Sequence, residues 1–295
     1  MNNIFSSLSE DTILYNELMM NHTSFKIGGV ADVLYLPSSA QNIAKCINIC
    51  NENKINYYII GNGTNILVKD KGFRGVIIKV VNLNKVTKNG DNFYIETGAN
   101  LADLAKYFLD QHYTGFEFAS GIPGTFGGAV YMNAGAYGPE IKDMITSVDV
   151  LNNGEIINLS NKAMKFGYRS SCIKGTDMVV CGANITLKKG NYQAIKEKID
   201  YLSKERTKKQ PLELPSAGSV FKRPRGDFAG RLIESSGLVG YRIGGAAVSD
   251  KHAGFIVNTG GATAEDVLNL ISYIKSKVKE KFDVELEEEL VSIGE

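Results

Sequence analysis

The stretch from Gly115 to Gly138 constrains the fold of this chain more than any other part of the sequence. It holds seven glycines in 24 residues, and the residues between them are mostly apolar or small. Because glycine loses the most backbone entropy on folding, such a cluster disfavours regular helix or strand. It favours turns whose backbone N–H groups bind an anion, most often phosphate. The alternative is a buried crossover that packs small residues against a sheet.

The composition indicates a globular protein without a strong overall charge. The chain has 295 residues, of which 43% are hydrophobic, enough for a sizeable core and more than one domain. The formal net charge of +1 gives no field that would attract nucleic acid or a membrane surface. No stretch reaches the roughly 20 apolar residues that span a bilayer, and residues 1–6 lack the features of a secretory signal. We therefore expect a cytoplasmic protein without membrane insertion and without a nucleic-acid partner.

The cysteines and histidines do not form a metal-binding pattern. Cys46, Cys50, Cys172 and Cys181 include no C-x-x-C pair, and the three histidines are far apart in the sequence. We expect no metal site, and the cysteines are expected to be free thiols in a reducing compartment.

Short strands and helices alternate in the first two thirds of the chain. Residues 1–21 are predicted to form a short helical lead-in. Helices are predicted over 41–53, capped by Ser38 or Ser39, and over 101–111, capped by Asn100, because apolar residues recur there at helical spacing. The predicted strands are 33–36, 57–60, 75–79, 93–97, 147–151, 155–159 and 178–187.

A second glycine-rich turn follows the strand at 57–60. It reads Gly61-Asn-Gly-Thr-Asn65, and a dinucleotide-binding fingerprint would need glycine at the next position, which is Ile66. The chain contains no G-x-x-x-x-G-K-[ST] loop either. The turn is therefore predicted either to contact a ligand or to close a tight hairpin.

The composition changes in the last third. A charged helix over 191–209 is followed by Pro211 and Pro215, which indicates a domain boundary near 205–215. Helices over 227–236 and 263–281 are predicted beyond it, and Thr263 with Asp266 forms a near capping box. Strands are predicted at 254–258, 284–286 and 290–293. The pattern indicates an α+β fold with a nucleotide-binding unit at about 25–190.

Five fragments in this order are more specific together than any one of them alone. They are 61–65, Ser120-Gly-Ile-Pro-Gly-Thr-x-Gly-Gly-x-x-x-x-Asn-Ala-Gly135, Tyr168-Arg169, Gly218-Ser-Val-Phe221 and Lys251-His-Ala-Gly-Phe-Ile-Val-Asn258. With them the chain resembles the UDP-N-acetylenolpyruvoylglucosamine reductase family, over about residues 22–294. The short distance from Arg169 to Ser219 leaves no room for an inserted loop whose tyrosine closes over substrate. The chain therefore resembles the shorter branch of the family.

The resemblance implies a fold and a reaction. Residues 1–205 would form an FAD-binding domain of the vanillyl-alcohol-oxidase (PCMH) type, with α+β subdomains at about 1–55 and 56–205. Residues 206–295 would form an α+β substrate-binding domain. NADPH would reduce FAD and leave, and the enolpyruvyl group of UDP-N-acetylglucosamine enolpyruvate would then be reduced in the same cleft, giving UDP-N-acetylmuramate for peptidoglycan. We expect these small molecules to be the only partners of a monomer.

The resemblance also implies cofactor contacts. Backbone N–H groups of both glycine-rich turns would bind the FAD pyrophosphate, and the side chains of Asn62, Thr64, Asn65, Thr125 and Asn133 would add hydrogen bonds. The full set implied for the cofactor is Gly61, Asn62, Gly63, Thr64, Asn65, Ile66, Gly121, Ile122, Pro123, Gly124, Thr125, Gly127, Gly128, Ala129, Asn133, Gly135 and Ala136.

Three residues are implied as catalytic, and their chemistry suits the reaction. Hydride addition to a vinyl carbon leaves negative charge on the neighbouring carbon and the carboxylate, which needs fixed donors and a proton. Arg169 is always cationic and suits the carboxylate. Ser219 would deliver the proton, and Glu289 would polarise the same group if it is protonated. Substrate-binding residues are implied at Tyr168, Lys222 and Arg223, the last two for the diphosphate.

Each of these residues has a simpler interpretation, and the chain departs from the family in places. Tyr168-Arg169 could be a surface strand with an ion pair, Ser219 a turn residue, and Glu289 part of a solvated acidic run. His22 and His252 are interpreted as structural rather than catalytic. Thr64 stands where the family commonly has serine. Val291 stands where the family often has arginine, so any contact of that arginine is in doubt.

Two other functions remain open at this point. One is an alcohol or sugar oxidase of the same flavin fold, many of which attach FAD covalently through a histidine near the glycine-rich turns. No histidine lies beside Gly61 or Gly121, and His112 has no obvious partner motif. The other is a non-catalytic sensor of nucleotide sugars.

Overall fold

The structure is a computed structural model that describes residues 4–8 and 10–295. The strands are β1 (Thr12–Leu18), β2 (Val30–Leu36), β3 (Tyr57–Ile60), β4 (Ile66–Val68), β5 (Phe73–Lys79), β6 (Val86–Asn89), β7 (Asn92–Glu96), β8 (Tyr113–Thr114), β9 (Ile145–Asn152), β10 (Glu155–Ser160), β11 (Val179–Thr186), β12 (Lys188–Lys189), β13 (Ser216–Ser219), β14 (Arg242–Ile243), β15 (Ala246–Val248), β16 (Phe255–Asn258) and β17 (Val291–Ile293). The α-helices are α1 (Ala40–Glu52), α2 (Leu101–Asp110), α3 (Phe126–Met132), α4 (Tyr192–Lys209), α5 (Ala229–Ser235) and α6 (Ala264–Phe282).

The predicted helix caps are present. The Ser39 hydroxyl accepts a hydrogen bond from the amide of Asn42 at the start of α1. The Asn100 side chain accepts two amide hydrogen bonds at the start of α2. At α6, Thr263 and Asp266 form a complete capping box. Because these side chains satisfy amides that have no acceptor within the helix, the helices begin where the sequence predicted.

The strands form a mixed set of sheets. One sheet has the order β1-β2-β5-β3, and its β3 and β5 run parallel. A second sheet has the order β10-β9-β11-β7-β6 with antiparallel pairing throughout. A third sheet, β13-β16-β15-β14, is also antiparallel, and β17 pairs in parallel with β4. The α+β class predicted from sequence is confirmed.

The chain divides into two compact units. The first contains residues 1–14, 33–62 and 75–206, and the second contains residues 15–32, 63–74 and 207–295. The division after 206 lies next to the sequence-based boundary at 205. The two N-terminal segments of the second unit were not predicted.

Close backbone approach explains why those two segments belong to the second unit. Gly72 has a positive φ of 85°, and a Cβ added there would overlap the carbonyl oxygen of Val30. A Cβ on Gly294 would in turn overlap the carbonyl oxygen of Gly72. The segment 63–74 therefore packs backbone against backbone on both sides, which only glycine permits at these points.

Each unit has its own hydrophobic core, and the first unit has two. One core of the first unit joins α1 to the inner faces of β2 and β5, with Val33, Ile43, Cys46 and Ile78 fully buried. The other lies among α2, α3 and the five-stranded sheet. Residues as late as Cys181 belong to the first of these cores, so it does not end at the predicted subdomain boundary near 55. The core of the second unit lies around α5 and α6.

Several local predictions were wrong. The predicted helical lead-in contains the strand β1 instead, and residues 1–3 and 9 of that prediction lie outside the described residues. No strand forms at 284–286; Glu288 makes only an isolated bridge to Phe221. The turn at 61–65 does not close a hairpin, because β3 and β4 belong to different sheets. The glycine-rich stretch contains the helix α3, where tertiary packing overrides a low helix propensity.

Candidate active site

The two glycine-rich turns contact each other within the first unit. A Cβ added to Gly61 would overlap the Thr125 hydroxyl, so the turns approach as closely as glycine allows. Asn62 donates a hydrogen bond from Nδ2 to the carbonyl oxygen of Pro123 at 3.3 Å. Neither turn is regular secondary structure at these residues. Their backbone is thus gathered into one place, as a cradle for a phosphate group requires.

The amides at the start of α3 already have acceptors in the protein. Phe126 donates to the carbonyl oxygen of Ala99 at 2.8 Å, and Gly127 donates to that of Thr97 at 2.7 Å. Gly128 donates to the Thr125 hydroxyl at 3.4 Å. Further amides from the implied cofactor set donate within the protein as well, namely those of Ile122, Ala129 and Ala136. The glycine at 127 therefore allows α3 to pack against Thr97, and its amide is not available to a ligand.

Other amides in the same two turns are available. The backbone N–H groups of Asn62, Gly121, Gly124 and Thr125 donate to no acceptor in the described part of the chain. In the second unit the same holds for Gly63, Thr64 and Asn65. Unused amides gathered in such turns are suited to the oxygens of a diphosphate.

Arg206 adds a positive charge beside the turn at 121–125, and sequence reasoning missed it. A Cβ on Gly121 would lie 2.7 Å from Cδ and 3.1 Å from Nη1 of Arg206. Burial lowers the pKa of this guanidinium, although the nearby Tyr137 acts in the opposite direction. No hydrogen bond or ion pair joins Arg206 to any residue among 4–8 and 10–295. In the sequence Arg206 looks like one more charge of the solvated helix α4. Only its position near the end of that helix set it apart from the other charges.

Arg169 lies in a tight two-residue turn, not in a strand. Gly167 and Ser170 exchange two backbone hydrogen bonds, and Tyr168 and Arg169 occupy the positions between them. Arg169 has a left-handed backbone with φ of 51°. Its guanidinium lies 5.0 Å from the centre of the Tyr168 ring and donates from Nη2 to the carbonyl oxygen of Gly135 at 3.0 Å. The interpretation as a surface strand was therefore wrong.

Asn133 has contacts other than those implied by the family resemblance. Its side chain is fully buried. It donates from Nδ2 to the carbonyl oxygen of Gly167 at 2.9 Å and to Oε2 of Glu140 at 3.1 Å. Its Oδ1 accepts from the amide of Lys142 at 3.2 Å. The side chain thus connects the end of α3 to the turn of Arg169.

Ser219 lies at the end of β13 in the second unit. Between Ser216 and Ser219 the register with β16 shifts, and Gly218 there has a positive φ of 79°. Such a bulge redirects the side chain that follows it. The Ser219 hydroxyl is half-buried and donates to the carbonyl oxygen of Phe221 at a long 3.3 Å. The hydroxyl is therefore only weakly engaged within the protein.

Backbone pairing brings Glu289 beside Ser219. The amide of Glu289 donates to the carbonyl oxygen of Val220 at 2.8 Å, so the residue next to Ser219 is hydrogen-bonded to Glu289. Asn65 donates from Nδ2 to the Glu289 carbonyl oxygen at 3.1 Å. In the acidic run Glu287-Glu-Glu289, the two other members form ion pairs with Lys222 and Lys275 at 2.8 and 2.9 Å. Glu289 itself is half-buried.

His252 lies close to the Ser219 hydroxyl. A Cβ added to Gly254 would lie 2.9 Å from Cε1 of His252 and 3.5 Å from Oγ of Ser219. Nδ1 of His252 accepts a hydrogen bond from the Gly254 amide at 3.1 Å, and burial lowers the pKa of the imidazole. The ring is therefore neutral at pH 7 with its proton on Nε2.

The implied substrate residues differ in their surroundings. Tyr168 is half exposed, at 51%. The guanidinium of Arg223 lies 4.3 Å from the ring centre of Phe228, which is exposed at 57%. Lys222 donates to a carboxylate oxygen of Glu287 at 2.8 Å. Val291 is part of β17 and pairs with Ile66 of β4, so this position has a structural role in the strand pair.

Neither a metal-ligand cluster nor a membrane-spanning helix is found among the described residues. Within 4–8 and 10–295 no group of three histidine, cysteine or acidic side chains is arranged to hold a metal ion. None of the helices in that part of the chain is both long and apolar enough to cross a bilayer. The ring centre of His112, the histidine considered above for covalent attachment of FAD, lies 5.5 Å from the ring centre of Tyr192.

The fold and the cradle of unused amides define a flavoprotein class. Residues 31–160 match the family model described as FAD binding domain. Alkyldihydroxyacetonephosphate synthase matches over 64% of this chain and 40% of its own, with a TM-score of 0.50 and 15% identity, which shows a shared fold. By class, the chain is an FAD-binding flavoprotein.

The relatives define the family within that class. Residues 210–293 match the model described as UDP-N-acetylenolpyruvoylglucosamine reductase, C-terminal domain. The reductase of that name from Caldanaerobacter subterraneus subsp. tengcongensis is 53% identical over 98% of this chain and 96% of its own. That from Clostridium perfringens is 50% identical over 97% and 94%. The crystal structure of the Thermus caldophilus enzyme matches with a TM-score of 0.83 and 30% identity, over 96% of this chain and 99% of that one.

The chain belongs to the UDP-N-acetylenolpyruvoylglucosamine reductase family, FAD-dependent oxidoreductases of peptidoglycan precursor synthesis. The resemblance inferred from the five sequence fragments is confirmed, and so are the enzyme class and the FAD cofactor. The membership disfavours the oxidase and the sensor.

Proposed function

We propose that this chain uses NADPH and bound FAD to reduce the enolpyruvyl group of UDP-N-acetylglucosamine enolpyruvate to the lactyl group of UDP-N-acetylmuramate. The observation that carries the proposal is the hydrogen bond between Val220 and Glu289. It joins the backbone of Glu289, a half-buried residue from a distant part of the chain, to the residue that follows Ser219, whose hydroxyl is only weakly engaged. The extensive identity to reductases of this name supports it.

The residues of the first unit fit the diphosphate of FAD. The amides of Asn62, Gly121, Gly124 and Thr125 supply donors in one place, and Arg206 supplies a charge that no described carboxylate neutralises. A desolvated guanidinium without an acceptor is costly, so an anion at this position offsets that cost. In the second unit, Gly63, Thr64 and Asn65 present further amides. When bound, FAD accepts hydride from NADPH and donates it to the substrate's vinyl carbon.

The cofactor residues whose amides are engaged have a supporting role in this proposal. Gly127, Gly128 and Ala129 form the first turn of α3 and hold it against Thr97. A Cβ on Gly135 would lie 2.8 Å from Cγ of Glu140, so this glycine permits the turn that follows α3. Gly61 allows the close approach of Thr125, and Ile122 and Ala136 pack against the core among α2, α3 and the five-stranded sheet. Pro123 accepts the hydrogen bond from Asn62, and Ile66 pairs with Val291.

Arg169 binds the carboxylate of the enolpyruvyl group. Its guanidinium donates to the carbonyl oxygen of Gly135 and lies over the Tyr168 ring, and its planar fork matches the geometry of a carboxylate. Negative charge that develops on this carboxylate during hydride addition is stabilised by the fixed cation. Tyr168 limits the rotation of the guanidinium by stacking.

Ser219 and Glu289 act on the proton and on the developing charge. The hydroxyl of Ser219 donates its proton to the carbon next to the carboxylate, and a strongly basic acceptor is required because serine is a weak acid. Glu289, in its protonated form, donates a hydrogen bond to the substrate carboxylate. Lys222 and Arg223 bind the substrate diphosphate, and for this Lys222 exchanges its partner Glu287 for a phosphate.

One anaerobic titration tests the proposal. The purified holoenzyme is mixed with one equivalent of NADPH, and flavin absorbance near 450 nm is expected to fall. Enolpyruvyl substrate is then added, and the absorbance is expected to recover while UDP-N-acetylmuramate forms. Flavin that stays reduced until oxygen is admitted would contradict the proposal and favour an oxidase. Flavin that NADPH does not reduce would favour a non-catalytic sensor.

The location and the oligomeric state of the protein form a further part of the proposed function. All four cysteines are free in the described structure, and three of them are buried. Reduced thiols and a nucleotide-sugar substrate suit the cytoplasm, where NADPH is available. We propose a cytoplasmic monomer, which sedimentation of the holoenzyme at several concentrations would test.

A further inference from the structure

One short segment of the first unit holds the turn of Arg169 at two points. Asn133 contacts the backbone at the start of the turn, through the 2.9 Å hydrogen bond to the carbonyl oxygen of Gly167. Gly135, two residues later, contacts the guanidinium of Arg169 through its carbonyl oxygen at 3.0 Å. The turn that carries Arg169 and the guanidinium of Arg169 are therefore both anchored to residues at the end of α3.

The side chain of Asn133 has no donor left for a ligand. Both hydrogens of Nδ2 are donated, one to Gly167 and one to Glu140, and Oδ1 accepts from Lys142. An asparagine amide offers two donor hydrogens, so the protein uses both donors and also supplies a partner for the oxygen. It is also fully buried. These facts separate Asn133 from the residues that contact the cofactor.

The backbone of Asn133 adds a reason for this residue type. Asn133 ends α3 in the left-handed conformation, with φ of 44°. Asparagine, aspartate and glycine adopt this conformation most readily among the residues. Asparagine alone among these three combines it with an N–H donor that reaches Gly167.

We infer that Asn133 is a positioning residue for Arg169. It ties the catalytic turn to α3, so that the guanidinium fork is presented in one direction. This inference rests on the proposed function, in which Arg169 binds the substrate carboxylate. Misplacement of such a group by about 1 Å costs on the order of 100-fold in rate.

The test is Asn133→Asp in the holoenzyme, with the two half-reactions measured separately by stopped flow. Aspartate has the same shape and tolerates the left-handed backbone, but its carboxylate cannot donate to Gly167 and it faces Glu140. We expect flavin reoxidation by the enolpyruvyl substrate to slow by about 100-fold. Flavin reduction by NADPH and the Kd for FAD are expected to stay within about twofold of wild type. A raised Kd for FAD would overturn the inference and make Asn133 a cofactor residue.

A double variant distinguishes positioning from general damage. If Asn133 acts through Arg169, the variant with both Asn133→Asp and Arg169→Lys should reoxidise no more slowly than Arg169→Lys alone. If the two substitutions slow flavin reoxidation by factors that multiply in the double variant, the inference is overturned. Asn161→Asp is the matched control, because Asn161 also donates from Nδ2 to two carbonyl oxygens, at 2.8 Å each, without contacting the turn. It is expected to lower Tm and to leave both half-reactions intact.

Two further measurements keep the result interpretable. If Asn133→Asp does not fold, Asn133→Gly removes the side chain and keeps the left-handed backbone without strain. We expect it to show the same selective loss. Wild-type protein is run in parallel: if its flavin is not reoxidised by the substrate, the proposed function fails. If wild type and both Asn133 variants are reoxidised equally fast, the inference alone fails.

Discussion

The glycine-rich turns of the first unit and the strand end around Ser219 in the second unit prepare for chemistry in opposite ways. In the turns the backbone of Asn62, Gly121, Gly124 and Thr125 presents unused amides, and close packing of Gly61 on Thr125 and of Gly127 on Thr97 leaves no room for added atoms. At Ser219 and Glu289 the backbone only aligns two segments, and the proposed function assigns the reactive groups to the side chains. The first region is therefore sensitive to added volume, and the second to a change of functional group.

The difference also decides which measurement reports on each region. Added atoms in the turns should change the stability of the fold and the affinity for FAD. Removal of the hydroxyl from the strand end should change a rate and leave the fold intact.

The largest expected effect is on the strand end. Ser219→Ala removes the proposed proton donor, and we expect reoxidation of reduced flavin by the enolpyruvyl substrate to slow by about 10²- to 10⁴-fold. Reduction by NADPH should remain near wild type in the same stopped-flow experiment. Ser216→Ala, at the other end of β13, serves as the control and should retain both rates. Equal slowing of both half-reactions by Ser219→Ala would show that this region depends on its fold as much as the turns do.

The next effect is on the turns. Gly127→Ala places a methyl group on the Thr97 side chain, and we expect the free energy of unfolding to fall by about 3 kcal/mol in urea denaturation. Gly128→Ala is the matched control one residue further along α3, since its Cβ would lie 3.4 Å from the nearest atom. It should be neutral or stabilising by up to about 1 kcal/mol, because alanine favours helix. Similar losses in both variants would refute the packing explanation.

A smaller effect is expected at Arg206, where one substitution should distinguish the contribution of charge to FAD binding from that of packing. Arg206→Met removes the guanidinium that lies on Gly121 and keeps a long apolar side chain. We expect the Kd for FAD to rise about tenfold, which corresponds to about 1.4 kcal/mol, and its dependence on salt to weaken. The apoprotein should be as stable as wild type or more so, because an unpaired desolvated charge is lost. Lys208→Met, an exposed change on the same helix, should alter neither quantity.

The smallest expected effect concerns Glu117, which lies just before the turn at 121–125. Burial alone would raise the pKa of Glu117, but hydrogen bonds from Thr114 and Gly115 outweigh it and hold the pKa below its usual value of 4.5. The unfolded chain therefore binds the proton more readily than the folded chain does. The resulting stability is fully present above pH 4.5 and is lost as the pH falls below it.

Glu117→Gln tests this assignment. We expect a loss of about 1 kcal/mol at pH 7 and a shallower decline of stability between pH 5 and pH 3 than in wild type, both measured by urea denaturation. Glu155→Gln, an exposed carboxylate in β10, is the control and should follow wild type. Identical acid profiles for Glu117→Gln and wild type would remove Glu117 from the support of the turn.

Much of the fold was predictable because its signals are local. The caps Ser39, Asn100 and Thr263 each act within three residues, so the sequence located α1, α2 and α6 closely. The error at β1 has the opposite cause. Its burial pattern is mostly exposed and carries no clear period, and the strand exists because β2 pairs with it.

The candidate site was predictable in its residue types more than in its contacts. Family motifs pointed to Asn133 as a cofactor residue, whereas its three hydrogen bonds all lie within the protein. Arg206 was missed because its neighbours on α4 are solvated charges, and nothing in their spacing shows that one guanidinium covers Gly121.

By itself, the sequence determined the α+β class, the principal helices, the presence of two glycine-rich turns and the family to which the chain belongs. These depend on propensities, caps and motifs that act over a few residues or that are read directly. Only the tertiary structure decided that residues 15–32 and 63–74 join the second unit, and that Val220 pairs with Glu289. Both depend on backbone groups that are far apart in sequence and meet only when the cores of the units form.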